Sequence, residues 1–169
     1  MMISRSSRLD LVFALAALLA AAGGAKAPPP PTLPPITIAA PPEARTKSAM
    51  TLIANADTNP DRNGRPSPIV VRVYQLKTDA AFNGADFFAL YDDDQKVLGA
   101  ELITRDEYVL NPSDRKTIDV SVSRDARFIG ALAAFRDRNA ESRALVPAPR
   151  GGLNVTIERA RIVVSAVED

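Results

Sequence analysis

Thr117-Ile118-Asp119-Val120-Ser121-Val122 alternates polar and apolar residues without a break. A period of two puts Ile118, Val120 and Val122 on one face and the polar set on the other, as in a strand with one side in a core and one in water. Upstream, Ile69-Val70-Val71-Arg72-Val73-Tyr74 is apolar at nearly every position, which predicts a central strand covered on both faces. Working outward from these two, further β-prone runs stand at 49–54, 97–103, 108–110, 128–135 and 154–167, the last long enough for a broken strand or a hairpin. Short strands divided by turn residues are the pattern of a two-sheet sandwich, so the expected fold is all-β with about seven to eight strands. One helix is expected over 79–91, capped by Asp79, with Phe82, Phe87, Leu90 and Tyr91 laid against a sheet. Residues 139–145 read as a second short turn of helix or as a loop.

The chain has 169 residues, 46% hydrophobic and 24% charged, which suits one folded domain with some extra sequence. Its 21 Lys and Arg nearly balance 20 Asp and Glu, so there is no strong field to draw in nucleic acid. It contains no His and no Cys. That removes the usual general base at neutral pH, the thiol nucleophile and most zinc, copper and haem ligand sets. Ser67, Ser113 and Ser142 therefore lack a histidine base, and no cofactor is expected.

The first 42 residues read as an address and a tether. Arg5 and Arg8 precede an apolar run from Leu11 to Ala22, and small residues follow. That is the order of a secretory signal peptide, and the run is shorter than the about 20 residues of a spanning helix. The end of the run, Leu19-Ala20-Ala21-Ala22-Gly23-Gly24, would be a lipobox with Cys at position 22. Ala22 has no thiol to accept a diacylglycerol, and Ala20-x-Ala22 instead offers an ordinary cleavage site before Gly23. From 23 to 42 the chain carries Pro28, Pro29, Pro30, Pro31, Pro34, Pro35, Pro41 and Pro42. Such density favours extended polyproline II at about 3.1 Å per residue. The expected organisation is a signal peptide at 1–22, a Pro-rich linker at 23–42 and the sandwich domain at 43–169.

Between the first two strands lies the most informative segment, Asn55 to Pro68. Asp57-x-Asn59-x-Asp61-x-Asn63-Gly64 alternates oxygen-bearing side chains as a calcium loop does, but an EF-hand needs Gly at its sixth position and a bidentate Glu at its twelfth. Those positions hold Arg62 and Pro68, so a turn-rich loop is the better reading. The segment is longer than a hairpin needs, carries Arg62 and Arg65 near its tip, and is restrained by Pro60, Pro66 and Pro68. Long loops are usually functional, and a restrained one loses less entropy on docking. We therefore read Asn55, Asp57, Asn59, Pro60, Asp61, Arg62, Asn63, Gly64, Arg65, Pro66, Ser67 and Pro68 as a partner-binding loop. Asp92-Asp93-Asp94 reads as a solvated turn, and Arg136-Asp137-Arg138 with Glu141 and Arg143 as an exposed charged stretch that lines an interface or none.

The run Asn59-Pro60-Asp61 through Arg65-Pro66-Ser67-Pro68, then Val70 to Lys77, then Phe82 and Ala85-Asp86-Phe87 with Leu90, resembles the type VI secretion lipoprotein family (TssJ, also called VasD or Lip). Leu98-Gly99, Leu110-Asn111-Pro112 and Ile129 to Asp137 continue the resemblance over nearly all of the expected domain. The resemblance implies a transthyretin-like β-sandwich with an added helix, in the periplasm under the outer membrane. It also implies a structural role: binding the periplasmic C-terminal region of TssM through the loop after the first strand, here 55–68, in a trans-envelope complex with TssL. Two departures stand out, Ala22 in place of the lipidated Cys, and Ser142-Arg143 where the family tends to carry a Trp. A periplasmic ligand- or carbohydrate-binding sandwich is the alternative, weakened by 5% aromatic content and no Trp. An enzyme of the same fold is disfavoured by the missing His.

Replacing Ala22→Cys is expected to convert the leader into a lipidation signal. Palmitate labelling and outer-membrane fractionation should both appear with the variant and be absent from the parent; palmitate on the parent chain would refute the reading.

Overall fold

The computed structural model describes residues 45–167; the expected signal peptide 1–22, the linker 23–42 and Ala22 lie outside the described residues. The described chain runs β1 (Arg45–Ala54), β2 (Ile69–Leu76), α1 (Ala80–Gly84), α2 (Phe87–Leu98), a 3-10 turn (Gly99–Glu101), β3 (Leu102–Leu110), β4 (Arg115–Ser123), β5 (Phe128–Ala133), β6 (Arg143–Pro147), β7 (Gly152–Ile157) and β8 (Ile162–Val167). Two four-stranded sheets result, ordered β4-β1-β7-β8 and β3-β2-β5-β6. Neighbours are antiparallel except β1 and β7, which run parallel with Met50 opposite Leu153 and Leu52 opposite Val155.

The core lies between the sheets. Met50 and Leu52 of β1 and Leu153, Val155 and Ile157 of β7 face Ile69, Val71 and Val73 of β2 and Ile129 and Ala131 of β5. Each fully buried side chain of this size stabilises the fold by roughly 1.5–3 kcal/mol. The alternation in β4 is as expected: Val122 is buried, Ile118 and Val120 are half-buried, and Thr117, Asp119 and Ser121 are exposed. β2 is central to its sheet, with β3 on one side and β5 on the other. Its outer face carries Tyr74 and Leu76, which form a second buried cluster with Leu132 and with Phe82, Leu90 and Leu98 of the helical segment. Gly130 opposes Tyr74 in the register, and a Cβ there would stand 2.9 Å from the Phe82 ring. A bare backbone at Gly130 is what admits that ring.

Several expected elements are corrected. The single helix over 79–91 is two helices, because the chain breaks at Ala85 with extended geometry. Asp79 makes no side-chain cap; Asp86 does, accepting from the Phe88 N–H at 2.8 Å. Residues 97–103 are no strand: Val97 and Leu98 end α2, with Leu98 facing the same cluster as Leu90. Leu102 and Ile103 begin a β3 that also absorbs the run at 108–110. A short apolar run cannot by itself distinguish a helix end from a strand start. Of the two readings of 139–145 the helix is absent: the chain turns there and then enters β6 at Arg143, pairing with β5.

Asp92-Asp93-Asp94 is not a solvated turn after a helix but part of α2, at a kink where Asp93 leaves helical geometry (φ −148°, ψ 66°). Asp94 is buried. Its Oδ2 accepts from Arg105 Nη1 at 2.9 Å and from the Tyr74 hydroxyl at 3.2 Å, with Arg72 Nη1 at 3.5 Å. Arg72 in turn donates to Glu107 at 2.7 Å and to the Tyr91 carbonyl at 2.7 Å, and its guanidinium lies 4.4 Å from the Tyr91 ring centre. Burial, followed by the Asp94 charge, pushes the Tyr74 hydroxyl up to about 12. The network fastens α2 to the outer face of β2 and β3, and a buried charge survives there because several donors surround it.

Asp94→Ala removes the acceptor and leaves the Tyr74 hydroxyl and part of Arg72 unpaired. The expected loss of unfolding free energy is about 3 kcal/mol. Urea denaturation with an unchanged m-value would check it, and a loss like that of a surface pair, below about 1 kcal/mol, would show that Arg72 and Glu107 hold α2 without Asp94.

Candidate functional site

β1 and β2 belong to different sheets. The 55–68 segment therefore crosses between layers, which takes up part of the length that the sequence suggested was free for function. Its base is fastened to the β7–β8 turn. Asn55 N–H donates to the Ile157 carbonyl at 2.9 Å, and Asn59 N–H to the Arg159 carbonyl at 3.1 Å. The buried Thr58 hydroxyl lies 2.8 Å from the Ile157 carbonyl and 3.0 Å from that of Glu158, sharing its proton between them. Ser67 N–H returns to the Thr58 carbonyl at 3.1 Å and closes the base.

Asn59 is only 3% exposed and adopts φ +48°. Few residues tolerate this left-handed region, and Asn is one of them. Its Nδ2 donates to the Pro68 carbonyl at 2.8 Å, and its Oδ1 accepts from the Arg136 N–H at 2.8 Å. One buried amide thus joins both ends of its own loop to the segment after β5.

Beyond this base the tip is a closed turn. Asp61 N–H donates to the Arg65 carbonyl at 2.8 Å and Gly64 N–H to the Asp61 carbonyl at 2.9 Å, with Gly64 at φ +78°. Asp61 Oδ1 accepts from the N–H groups of Asn63 at 2.8 Å and Arg65 at 2.9 Å, while Oδ2 takes Arg65 Nε and Nη2, each at 2.9 Å. The backbone N–H of Arg65 holds the Asp61 carboxyl below its ordinary 3.8; desolvation opposes, and the Asn63 N–H, the Arg65 guanidinium and the charge of Arg136 assist.

The residues singled out from the sequence thus divide. Arg62, Asn63, Gly64, Arg65 and Pro66 are exposed, as are Asn55, Asp57 and Pro68, whereas Asn59 and Ser67 are buried and Pro60 and Asp61 partly so. The oxygen-bearing alternation serves separate ends: Asp57 faces solvent, Asn59 joins loops and Asp61 closes the turn. Arg65 is not a free positive tip, being ion-paired to Asp61. Arg62 makes no ion pair or hydrogen bond among the described residues, and the same holds for the Arg136 guanidinium.

The charged stretch after β5 is also divided. Arg143 is half-buried and donates to the carbonyls of Phe82 at 2.7 Å, Asn83 at 2.8 Å and Ala85 at 2.7 Å, over the Phe82 ring at 5.4 Å. It satisfies carbonyls left open at the end of α1, so its role is structural. Burial pulls its pKa below the ordinary guanidinium value. Three features went unread in the sequence: the buried Thr58, the link from Asn59 to Arg136, and Phe88. Phe88 is 53% exposed beside Arg138 at 5.9 Å. Asn-Pro at 59–60 is a turn-opening pair and was the one local signal available. The chemistry on offer at this end is hydrogen-bond donation by guanidinium and backbone groups, which suits recognition of another surface.

These features define a two-sheet sandwich whose loops at one end are tied together by hydrogen bonds. A family model described as type VI secretion lipoprotein (VasD, EvfM, TssJ) matches residues 46–164, and the chain belongs to that family. Its fold is similar to the type VI secretion lipoprotein TssJ1 from Pseudomonas aeruginosa, at 33% identity and TM-score 0.70, covering 75% of this chain and 99% of that one. It is also similar to Serratia marcescens Lip, a membrane-bound component of the type VI secretion system, at 24% identity and TM-score 0.66, covering 72% and 98%. A further fold match, at 21% identity and TM-score 0.61, is to a structure described as the TssM C-terminal domain from EAEC, covering 73% and 100%. A comparison with curated proteins found no match.

The tip is expected to loosen in acid. A carboxyl whose pKa is lowered by folding contributes stability above its unfolded value and loses it as pH falls through the lowered one. Carbon-detected NMR should place the Asp61 midpoint below 3.8, with the amides of Asn63 and Arg65 shifting together. A midpoint at or above the ordinary value would show that the turn is open in solution.

Proposed function

We propose that this member of the family is a structural, non-catalytic subunit of the type VI secretion trans-envelope complex. It sits at the periplasmic face of the outer membrane and docks the periplasmic C-terminal region of TssM through residues 55–68. TssL joins the assembly through TssM rather than by contact with this chain. The Pro-rich 23–42 segment is the tether between the sandwich and whatever holds its N-terminus.

The observation that carries this reading is the closed, projecting tip at 61–65 on a buried base. A loop already folded in the free protein loses little entropy on docking, so its contacts appear as affinity. Arg62 at the tip steers an acidic surface toward it. A non-catalytic role fits the composition, since Ser67, the hydroxyl nearest the tip, donates to the Arg65 carbonyl at 3.3 Å and has no His to activate it. The ligand-binding alternative has little support from the interior. The cavity between the sheets, lined by Ser48, Met50, Val73 and Gln75 among others, measures about 20 Å³, room for about one water.

The test must spare the base, because Thr58, Asn59 and Ser67 are buried. Replacing residues 61–65 by Gly-Gly is expected to keep the circular dichroism and melting temperature while cutting affinity for the TssM periplasmic region by at least about tenfold. Arg62→Gln alone should lower the association rate and its salt dependence while leaving the Asp61–Arg65 pair and the closed tip intact. Undiminished binding by the tip-replaced chain would place the docking surface elsewhere.

A further inference from the structure

Resting on the docking reading, we infer that the 55–68 tip and the Arg136 segment form one carboxylate-reading cleft, with Asn59 as its positioning residue, and that the partner enters it with an acidic side chain. A cleft runs between the two segments, lined by Pro60, Asp61, Arg62, Asn63, Arg136 and Asp137. Its charges are unequal in availability. Both oxygens of Asp61 are engaged by Arg65 and by the turn's own N–H groups. Asp137 accepts the N–H of Asn139 at 2.9 Å in a turn of its own. Arg62 and Arg136 have no acceptor among the described residues, so the charged donors left open in the cleft are two guanidinium forks, beside the Asn63 side-chain amide and the second oxygen of Asp137. Such forks match the planar, two-oxygen geometry of a carboxylate.

The occupant is chosen by the rest of the charge. Asp61 and Asp137 flank the cleft and the chain as a whole carries a formal charge of +1, so a polyanion such as nucleic acid would meet repulsion as well as attraction. A single Asp or Glu side chain on a protein surface places one charge between the two Arg residues and leaves the flanking acids at the rim.

Asn59 gives the cleft its spacing. The two Arg residues lie on different loops, 74 positions apart by number, and independent loops would hold them at variable separation. The buried Asn59 amide donates to Pro68 in its own loop and accepts from the Arg136 backbone N–H. The backbone that carries Arg136 is thereby fixed against the backbone that carries Arg62, and the pair is spaced before any partner arrives.

The experiment uses the full chain exported to the periplasm of an expression host, with four single substitutions and their combinations. Asn59→Gly keeps the positive φ but loses both bonds; Asn59→Asp keeps the acceptor for Arg136 and loses only the donor to Pro68; Arg62→Gln and Arg136→Gln remove the charges. In the free protein, amide exchange at Arg136 should quicken by about tenfold or more in Asn59→Gly and stay protected in Asn59→Asp. Binding to the TssM periplasmic region should fall about tenfold with either Arg→Gln change and little further with both, because one carboxylate bridges them. In the Asn59→Gly background that coupling should vanish while the salt dependence remains, since both charges are still present.

Unchanged exchange at Arg136 in Asn59→Gly would overturn the positioning role. Additive effects of the two Arg changes, in a chain whose tip is required for binding, would overturn the shared carboxylate. Competition by inorganic phosphate at millimolar concentration would also overturn it, by showing a general anion site. If the tip-replaced chain binds TssM undiminished, the docking reading falls first, on a result distinct from these.

Discussion

Strand β2 carries large side chains on both faces, and water has to be kept from each. Val71 and Val73 point between the sheets, where β1 and β7 cover them. Arg72, Tyr74 and Leu76 point outward, and no second sheet lies there. The segment between β2 and β3 meets that need as a helical cover, with Phe82, Leu90 and Leu98 pressed on Tyr74 and Leu76. A helix laid on a sheet through apolar contacts alone could slide. Asp94, held by Tyr74, Arg105 and Arg72, supplies a directional contact.

The cover has consequences on the far side of the sheet. Arg143 at the start of β6 reaches the carbonyls at the end of α1. The entry to β6 is therefore set by the helices, and with it the course of the 134–142 segment that leads there from β5. That segment brings Arg136 to Asn59. This end of the sandwich is thus built from two directions, the interlayer crossing after β1 and the return into β6, and they meet at one buried amide. Its surface is polar and partly neutralised within itself, with Asp61 and Arg65 closing the turn and Arg62 turned outward. An ion pair as exposed as Asp61 and Arg65 contributes little to global stability. Its effect is local, on the shape of the tip.

Much of the fold was legible from periodicity. The strict alternation at 117–122 and the doubly apolar run at 69–74 identify a half-buried strand and a central one, and with the other short runs between turns they point to a sandwich. Where apolar residues did not repeat over enough positions the reading failed. Val97, Leu98, Leu102 and Ile103 look like one short strand, yet the first two complete a helical face begun by Leu90. The acidic run at 92–94 looks solvated because charge normally is, and nothing near it in the chain reveals that Arg105 and Tyr74 will surround Asp94. The candidate loop stood out by its length and composition, but its internal arrangement did not. Its Pro and Arg residues mark 55–68 as a restrained, positive loop, while the division into a buried base and a projecting tip left no local trace beyond Asn-Pro.

What the sequence determined by itself is whatever depends on neighbours a few residues away: the strands whose apolar pattern repeats over enough positions, and the turns between them. What only the tertiary structure decided is how polar groups are satisfied once buried. Asn59 and Arg136 are 77 positions apart, and Thr58 and Ile157 are 99 apart. A buried donor or acceptor must find a partner wherever the packed chain places one. Such partners are chosen by the closure of two sheets on a common core, and no local pattern encodes the distance across it.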